Sequence, residues 1–179
     1  FCHQTTYGMS ERLLGALVGV HGDNKGLIIP PEVAPLQVVI IPIIFKGKEK
    51  GVLEASETLH KKLLNQGIRS HIDDRETTPG NKYYDWELKG VPLRIEIGPK
   101  DVEKNELTMV RRDISKKRLV PLKDAEKAIQ DELQALVQTI YANAEKLLKE
   151  NMHSVLTVEE AKEKTGIVAL PWCGNKDCA

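Results

Sequence analysis

The sequence of 179 residues has few cysteines, no excess of charge of either sign and no long apolar run. No apolar stretch approaches the ~20 residues that a membrane-spanning helix needs, so we expect no membrane partner. Lys plus Arg and Asp plus Glu both total 26, and the formal net charge of zero means that a polyanion would have to bind a local patch. Three cysteines do not form the disulfide framework of a small secreted protein.

Other common signals of location and chemistry are also missing. The first residues, FCHQTTYGM, contain neither an initiator methionine nor the basic and apolar regions of a signal peptide. We therefore expect an interior piece of a longer intracellular chain with a cytoplasmic location. The five histidines are scattered without a metal-ligand spacing, and no glycine-rich phosphate loop or nucleophile motif occurs. The 41% hydrophobic and 29% charged residues are typical of soluble globular chains.

The first 30 residues behave as a separate unit. The stretch TTYGM favours a strand, and SERLLGALVGV places leucines and valines at helical spacing, with Ser10 in position to cap the first turn. We expect a strand that runs directly into a helix. Arg12 lies at this junction, where a guanidinium could stack on an aromatic ring or contact a phosphate, or could be an ordinary exposed arginine. The following PPEVAP predicts a stiff linker at a domain boundary.

Past this linker, strand and helix patterns alternate. Strands are predicted in LQVVIIPIIF, IRSHID and VPLRIEIG, with helices over residues 49–66 and 81–89 between them. This order implies an α/β sandwich with right-handed crossovers. The stretches LTMVRRD and KRLVPL predict one or two further strands.

The C-terminal part predicts one long amphipathic helix and a possible metal site. From residue 124 to about residue 152 the apolar positions step by three and four, and Thr157 and Glu160 match a capping box. Near the end, Cys173 and Cys178 lie five positions apart on a loop that resembles one edge of a zinc site, although a structural zinc ion takes four protein ligands. A single C-x4-C pair is also compatible with two free thiols at a frayed terminus.

A second group of candidate residues lies around the third strand. Tyr83 and Glu87 are four residues apart and share a helix face, and Arg94 and Lys100 follow on the strand and its exit loop. An aromatic ring to stack on a base, a carboxylate to accept hydrogen bonds and basic groups to donate them could together bind unstacked RNA bases. The same face could be a solvated mixture of charges. The run RRDISKKR could contact phosphates or form a solvated hairpin.

Two stretches carry a family resemblance. HQTTYGMSERLLGALVGVHGDNKGLIIPP resembles the third signature motif of class II aminoacyl-tRNA synthetases running into their anticodon-binding domain, and WELKGVPLRIEIGPKD resembles prolyl-tRNA synthetases of the archaeal and eukaryotic-cytosolic type. The likeness covers the whole chain. It implies an α/β anticodon-binding domain at residues 35–123, with a mixed sheet of about five strands and flanking helices. The end of a class II catalytic domain would precede it at residues 1–34, and a long helix and the start of a C-terminal zinc-binding domain would follow at residues 124–179.

The resemblance also implies roles for individual residues. Arg12 would be catalytic, packing against the adenine and phosphate side of ATP, and Ser10 would be its ATP-contacting neighbour. The residues that would contact the two guanines shared by all proline anticodons are Tyr83, Glu87, Arg94, Lys100 and Asp101. Tyr83 would stack, Glu87 would accept from N1 and N2, and Arg94 and Lys100 would donate to O6, N7 or phosphate. The alternative is that Glu87 and Arg94 pair with each other in the free protein.

The resemblance further implies the metal and the reaction. Cys173 and Cys178 would be zinc ligands, with the remaining thiolates supplied by a later cysteine pair. The reaction would be ATP-dependent activation of L-proline followed by its transfer to tRNA(Pro), with Mg2+, no protein nucleophile and a homodimeric enzyme. One alternative is a free-standing anticodon-domain homologue that binds RNA or protein without catalysis. Another is a class II synthetase for threonine, histidine or glycine, which would lack the ELKGVPLR run and the terminal cysteine pair.

Overall fold

The computed structural model describes residues 2–44, 49–172 and 174–175. The chain divides into two compact units, Phe1–Ile140 and Tyr141–Ala179. No helix within the described ranges combines the length and apolar composition that crossing a membrane requires.

The first unit is an α/β sandwich with a five-stranded mixed sheet, as predicted. Its elements are α1 (Arg12–His21), β1 (Val38–Pro42), α2 (Glu49–Asn65), β2 (Ser70–Ile72), α3 (Pro79–Leu88), β3 (Leu93–Ile97), α4 (Pro99–Lys104), β4 (Glu106–Arg111), β5 (Lys117–Pro121) and the start of α5 (Ala125–Glu150). The strand order is β2-β1-β3-β4-β5. The first three strands are mutually parallel, and β3, β4 and β5 pair antiparallel.

Side-chain alternation explains why the two faces of the sheet differ. Residues Leu93, Ile95 and Ile97 of β3 face the main core, where they pack with apolar residues of α2, β4 and α5. β1 is apolar on both faces because α3 covers its second face through Trp86. On β3 that second face carries Arg94 and Glu96, which are both buried. The strand therefore holds charge on one side and core on the other.

Two details of the first unit differ from the expectation. TTYGM forms no strand, and residues 2–10 are exposed with no regular structure. A strand needs a neighbour to satisfy its backbone groups, and no described residue of this chain pairs with the segment. Ser10 does not cap α1 with its side chain, since Glu11 takes the N-cap position and the Ser10 carbonyl accepts from the Leu13 amide at 3.1 Å.

The second unit contains a two-stranded parallel sheet and a short helix. Its elements are β6 (Met152–Ser154), α6 (Val158–Lys162) and β7 (Ile167–Ala169). Thr157 caps α6 by accepting from the Glu160 amide, as the capping box predicts. The Glu160 carboxylate, however, accepts from the Leu156 amide at 3.1 Å, one residue before the expected donor. The zinc-ligand candidates Cys173 and Cys178 lie outside the described residues.

A buried carboxylate attaches α3 to the sheet. Asp73, directly after β2, accepts from Nε and Nη2 of Arg75 at 2.9 and 2.7 Å and from Nε1 of Trp86 at 2.7 Å. Its carbonyl accepts from the buried Nζ of Lys82 at 2.8 Å. The hydrogen bonds from Arg75, with that from Trp86, hold the pKa of the Asp73 carboxyl well below its usual range.

The C-terminal end of α3 is fixed by a second contact, with the segment of residues 22–28 that follows α1. The Leu27 amide donates to the Leu88 carbonyl at 3.1 Å. Gly90 turns the chain with φ of 72°, and a Cβ there would lie 2.6 Å from the Leu27 Cβ and 2.7 Å from the Leu27 carbonyl oxygen. Only glycine fits this approach without displacing the neighbouring backbone.

Gly90→Ala should destabilise the protein more than Gly67→Ala. Gly67 follows α2 with φ of 75° and has open space around it, so alanine there meets only left-handed strain of about 1 kcal/mol. Alanine at Gly90 meets the same strain and also displaces Leu27, which should cost at least about 1 kcal/mol more. The free energies of unfolding in urea, followed by circular dichroism, test this difference. Equal losses would show that segment 22–28 does not pack closely on α3.

Asp73→Asn should destabilise the protein by about 2 kcal/mol at neutral pH, because charge-assisted hydrogen bonds to a buried carboxylate are lost. The pKa of Asp73 is lower in the folded than in the unfolded chain, so its ionised form stabilises the fold above about pH 4. That contribution declines progressively as the pH falls from about 4 towards the much lower pKa of the folded chain, so the difference between the variant and the parent protein should begin to narrow between about pH 4 and pH 3. Urea unfolding across pH 3–7 measures the convergence.

The control is Asp74→Asn, at the exposed neighbouring position, which should change stability by less than about 0.5 kcal/mol. A pH-independent difference between the parent protein and Asp73→Asn would contradict the assignment of the stabilisation to the ionised carboxylate.

Candidate nucleic-acid interface

The candidate interface is the face of β3, β4 and β5 that lies opposite the main core. Residues directly opposite each other in antiparallel strands share a face. The strand register pairs Arg94 with Val110 and Val110 with Lys117, and it pairs Glu96 with Thr108 and Thr108 with Leu119. Lys117 and Leu119 are exposed at the outer strand of this surface. Helix α3 borders it and contributes Tyr83 and Glu87.

Arg94 is the centre of this face. Its side chain is only 10% exposed. Nη1 donates to Oε1 of Glu87 at 2.8 Å, and Nε donates to Oε1 of Glu96 at 3.2 Å. The guanidinium carbon lies 4.1 Å from the centre of the Tyr83 ring, a cation–π contact. The structure thus brings three of the predicted site residues together and pairs Glu87 with Arg94 in the free protein.

Tyr83 is half-buried between these charged groups. Burial, together with the negative charge of Glu96, raises the pKa of Tyr83 to about 12, although Arg94 opposes the shift. The phenol is therefore neutral at physiological pH and keeps its proton as a hydrogen-bond donor. Nζ of Lys117 also lies 6.0 Å from the ring centre, and Tyr83 packs against the apolar cluster that includes Trp86. A base that stacks on Tyr83 therefore has to compete with these neighbours for the ring.

Glu96 belongs to the cluster although the sequence analysis did not select it. It is buried, and its second oxygen accepts from Nζ of Lys117 at 2.9 Å while the first accepts from Arg94. The signal was present in VPLRIEIG, because period-two alternation places Glu96 on the same face as Arg94. Two carboxylates and two cations therefore balance each other in this cluster.

Lys100 and Asp101 lie at the start of α4, a helix that the sequence analysis did not predict. Lys100 is exposed. Oδ2 of Asp101 accepts from the Gly98 amide at 2.8 Å, which satisfies a free donor at the start of the helix. The Asp101 charge also contributes to the raised pKa of Tyr83, so it lies within electrostatic reach of the cluster. Asp101 therefore has a structural role in addition to the predicted contact role.

The basic run RRDISKKR is only partly available to a ligand. Arg111 is held by Asp113 and Glu132, and Arg112 is buried against Asp23. The exposed cations are Lys116, Lys117 and Arg118. Of these, Lys117 pairs with Glu96 and Arg118 pairs with Glu132. The two arginines at the start of the run serve the fold, and any phosphate contact falls to the hairpin.

The ATP-binding candidates lie in a different part of the first unit. Ser10 and Arg12 are exposed at the beginning of α1. No side chain of α1 is buried, and Leu13, Leu14 and Val18 are exposed large apolar residues. The described part of the chain leaves this apolar helix face uncovered.

Among the described residues, no group of three or more His, Cys, Asp or Glu side chains is placed to hold a metal ion. The side chains around Arg94 are arranged for hydrogen bonding and ring stacking. Carboxylates that accept and guanidinium and ammonium groups that donate match the edge of a guanine, which offers N1 and N2 donors beside O6 and N7 acceptors.

Comparisons with known proteins identify the domain that carries this face. The family profile described as an anticodon binding domain matches residues 37–132, which include all the cluster residues. Proline–tRNA ligases are similar over nearly the whole chain: that of Thermococcus kodakarensis is 45% identical and that of Methanosarcina mazei 43% identical, each over 99% of this chain and 38% of its own length. The ligase of Ignicoccus hospitalis is 46% identical over 98% of this chain and 38% of its own length.

The chain thus spans about 38% of the length of the curated relatives it matches. The five-stranded sheet with its flanking helices is the fold expected of the matched domain. The charged cluster on β3 lies within the matched residues. The chain belongs to the anticodon-binding domain family and is a homologue of archaeal proline–tRNA ligases.

Proposed function

We propose that the chain is part of a proline–tRNA ligase and that the cluster around Arg94 recognises the anticodon of tRNA(Pro). One observation carries the proposal: Arg94 contacts Glu87, Glu96 and Tyr83, and all four residues lie within the matched anticodon-binding region. Lys100 and Asp101, at the start of α4 directly after β3, are the other residues of the proposed contact surface.

Recognition would proceed by exchange of partners. In the free protein Glu87 and Arg94 satisfy each other at 2.8 Å. A guanine that enters between them gives its N1 and N2 hydrogens to Glu87 and takes a hydrogen bond from Arg94 at O6 or N7. Because both side chains regain charge-assisted hydrogen bonds, part of the cost of opening the ion pair is recovered. A base with the opposite donor pattern would leave Glu87 and Arg94 unpaired, and this penalty provides discrimination.

The proposed reaction is ATP-dependent activation of L-proline and transfer to the terminal ribose of tRNA(Pro). Arg12 would contact the adenine and phosphate side of ATP, with Ser10 beside it. Mg2+ would supply charge neutralisation of the phosphates. A class II enzyme of this kind would work as a homodimer in the cytoplasm, and the uncovered apolar face of α1 would pack within the rest of its catalytic domain.

In the full-length protein, substitutions at the two proposed sites should affect two different activities. Arg12→Ala should reduce proline-dependent ATP–pyrophosphate exchange roughly thirtyfold, since a desolvated stacked guanidinium contributes about 2 kcal/mol. Glu87→Ala should leave that exchange intact and lower the charging efficiency of tRNA(Pro) by roughly five- to 150-fold, since a base contact contributes about 1–3 kcal/mol. Exchange kinetics without tRNA and charging kinetics with it measure the two effects.

A matched control is Glu57→Ala, an exposed glutamate on α2 that should leave both activities unchanged. Absence of any proline-dependent exchange in the full-length protein would favour the non-catalytic RNA- or protein-binding module. If Glu87→Ala charged native and anticodon-altered tRNA as the parent enzyme does, the cluster would not be the base-recognition site.

We also propose that Cys173 and Cys178 supply two thiolates to a structural zinc site that is completed outside this chain. A structural zinc ion takes four ligands, and a half-site binds metal weakly because metal binding and folding are coupled. The full-length protein should therefore retain about one zinc ion per subunit, while the 179-residue chain alone should lose it on dialysis. Metal analysis of both proteins tests this. A zinc-free full-length protein, purified without chelator, would leave the pair as ordinary thiols.

A further inference from the structure

Arg112, the residue after β4, donates from all three nitrogens of its guanidinium inside the first unit. Its side chain is 1% exposed, and a charge buried to this extent requires partners for its donors. Nη1 and Nη2 donate to the two oxygens of Asp23 at 2.9 and 2.6 Å, a bidentate pair. Nε donates to the backbone carbonyl of Glu87 at 2.9 Å. The side chain thus joins Asp23 to the helix turn that presents the proposed base-reading carboxylate.

Asp23 is itself held in a tight turn. Its Oδ1 accepts from the Lys25 amide at 2.8 Å, and its backbone amide and carbonyl exchange hydrogen bonds with Gly26, each at 3.1 Å. The hydrogen bond from Arg112 is the main cause that lowers the pKa of Asp23 to about 2, so the carboxylate stays ionised at any working pH. Asp23 is therefore a fixed anchor for Arg112.

Two successive carbonyls at the end of α3 take donors from outside the helix. The Glu87 carbonyl accepts from Arg112, and the Leu88 carbonyl accepts from the Leu27 amide. The Glu87 carbonyl also accepts from the Gly90 amide at 3.1 Å, and the Trp86 carbonyl accepts from the Val91 amide at 3.2 Å. Arg112, directly after β4, therefore adds a side-chain donor to a helix end that local backbone hydrogen bonds already close. These contacts hold the backbone from which the Glu87 side chain reaches Arg94.

We propose that Arg112, anchored by Asp23, is a positioning residue for base recognition that fixes Glu87 through its backbone carbonyl. This proposal rests on the proposed function of Glu87. Base contacts require placement within about half an ångström, so a loosened last turn of α3 weakens discrimination although Glu87 remains present. Asp23 lies two residues after α1, the helix that carries the proposed ATP-binding Arg12. The ion pair between Asp23 and Arg112 therefore connects the segment after α1 to α3, the helix that carries Glu87.

The neighbouring Arg111 provides a matched control. It is also held in an ion pair, since Nε and Nη2 donate to the two oxygens of Asp113 at 3.0 and 2.6 Å, and Nη2 also donates to Thr139. Its strand register places it opposite Leu93, on the core face of the sheet, away from the face that carries Arg94. Lysine at either position removes the guanidinium fork and keeps the charge, but only Arg112 contacts Glu87.

The test uses the full-length protein and the variants Arg112→Lys, Arg111→Lys and Glu87→Ala. The measured quantity is the ratio of charging efficiencies for tRNA(Pro) and for the same tRNA with an anticodon guanine changed to adenine. Arg112→Lys should lower this ratio on the order of tenfold, within the range of a lost base contact, and should keep the tRNA-independent exchange rate. Arg111→Lys should lower the temperature of unfolding and leave the ratio unchanged.

A double-mutant cycle separates positioning from general destabilisation. If Arg112 acts through Glu87, Arg112→Lys should lower the ratio no further in a Glu87→Ala background. Asp23→Asn, at a half-exposed side chain, is the milder second variant and should reproduce the loss if Arg112→Lys does not fold. The proposal is supported if the ratio of charging efficiencies falls in Arg112→Lys only when Glu87 is present, and does not fall in Arg111→Lys.

Three results would overturn it. One is an unchanged ratio in both Arg112→Lys and Asp23→Asn while Glu87→Ala lowers it, which leaves the role of Glu87 intact. Another is an equal loss in Arg111→Lys, which assigns the effect to stability. The third is an unchanged ratio in Glu87→Ala itself, which shows that the proposed role of Glu87 has failed and the inference with it.

Discussion

The burial of Arg94 on β3 is the constraint on which this face of the protein depends. A guanidinium cannot lose its proton, so a strand that buries one must surround it with acceptors. Glu87 and Glu96 supply carboxylates and Tyr83 supplies a ring face. Each partner comes from a different position on β3 or α3, so the requirement for neutralisation fixes how α3 lies over the sheet. The proposed recognition chemistry uses side chains that the fold already needed for this purpose.

Helix α3 is held at both ends, and the two attachments differ in kind. Lys82 in the first half of the helix and Trp86 in its last turn contact Asp73 after β2. At its end, Arg112 and Leu27 contact its last carbonyls. A helix of ten residues is marginal in isolation, so its order comes from these tertiary contacts rather than from propensity. Rigid placement of Glu87 and Tyr83 is therefore a property of the surrounding residues as much as of the helix.

Much of the fold could be predicted from the sequence because its signals are local. The apolar run of β1, the alternation in VPLRIEIG and the helical spacing in α2 and α5 each follow from one segment alone. The spacing of Tyr83 and Glu87 likewise placed both on one helix face. The inward direction of Arg112 could not be predicted, because it depends on Asp23, 89 positions away. The expected strand in TTYGM was wrong for a related reason. A strand needs a pairing partner elsewhere, and no described residue provides one.

The charge balance of the cluster bears on what kind of RNA contact it can make. Affinity for nucleic acid without regard to sequence comes from unpaired cations that release counterions from phosphates. Here the whole chain has a formal charge of zero, and Arg94, Lys117 and Arg118 are each paired with a glutamate. A backbone phosphate alone would have to break these pairs, and the buried Glu96 would then keep only one of its two cations. A base edge that offers both donors and acceptors can give each member of an ion pair a new hydrogen-bond partner at the same time. On the proposed function, the face therefore favours discrimination between bases over general attraction to RNA, and a neutral chain is suited to that task.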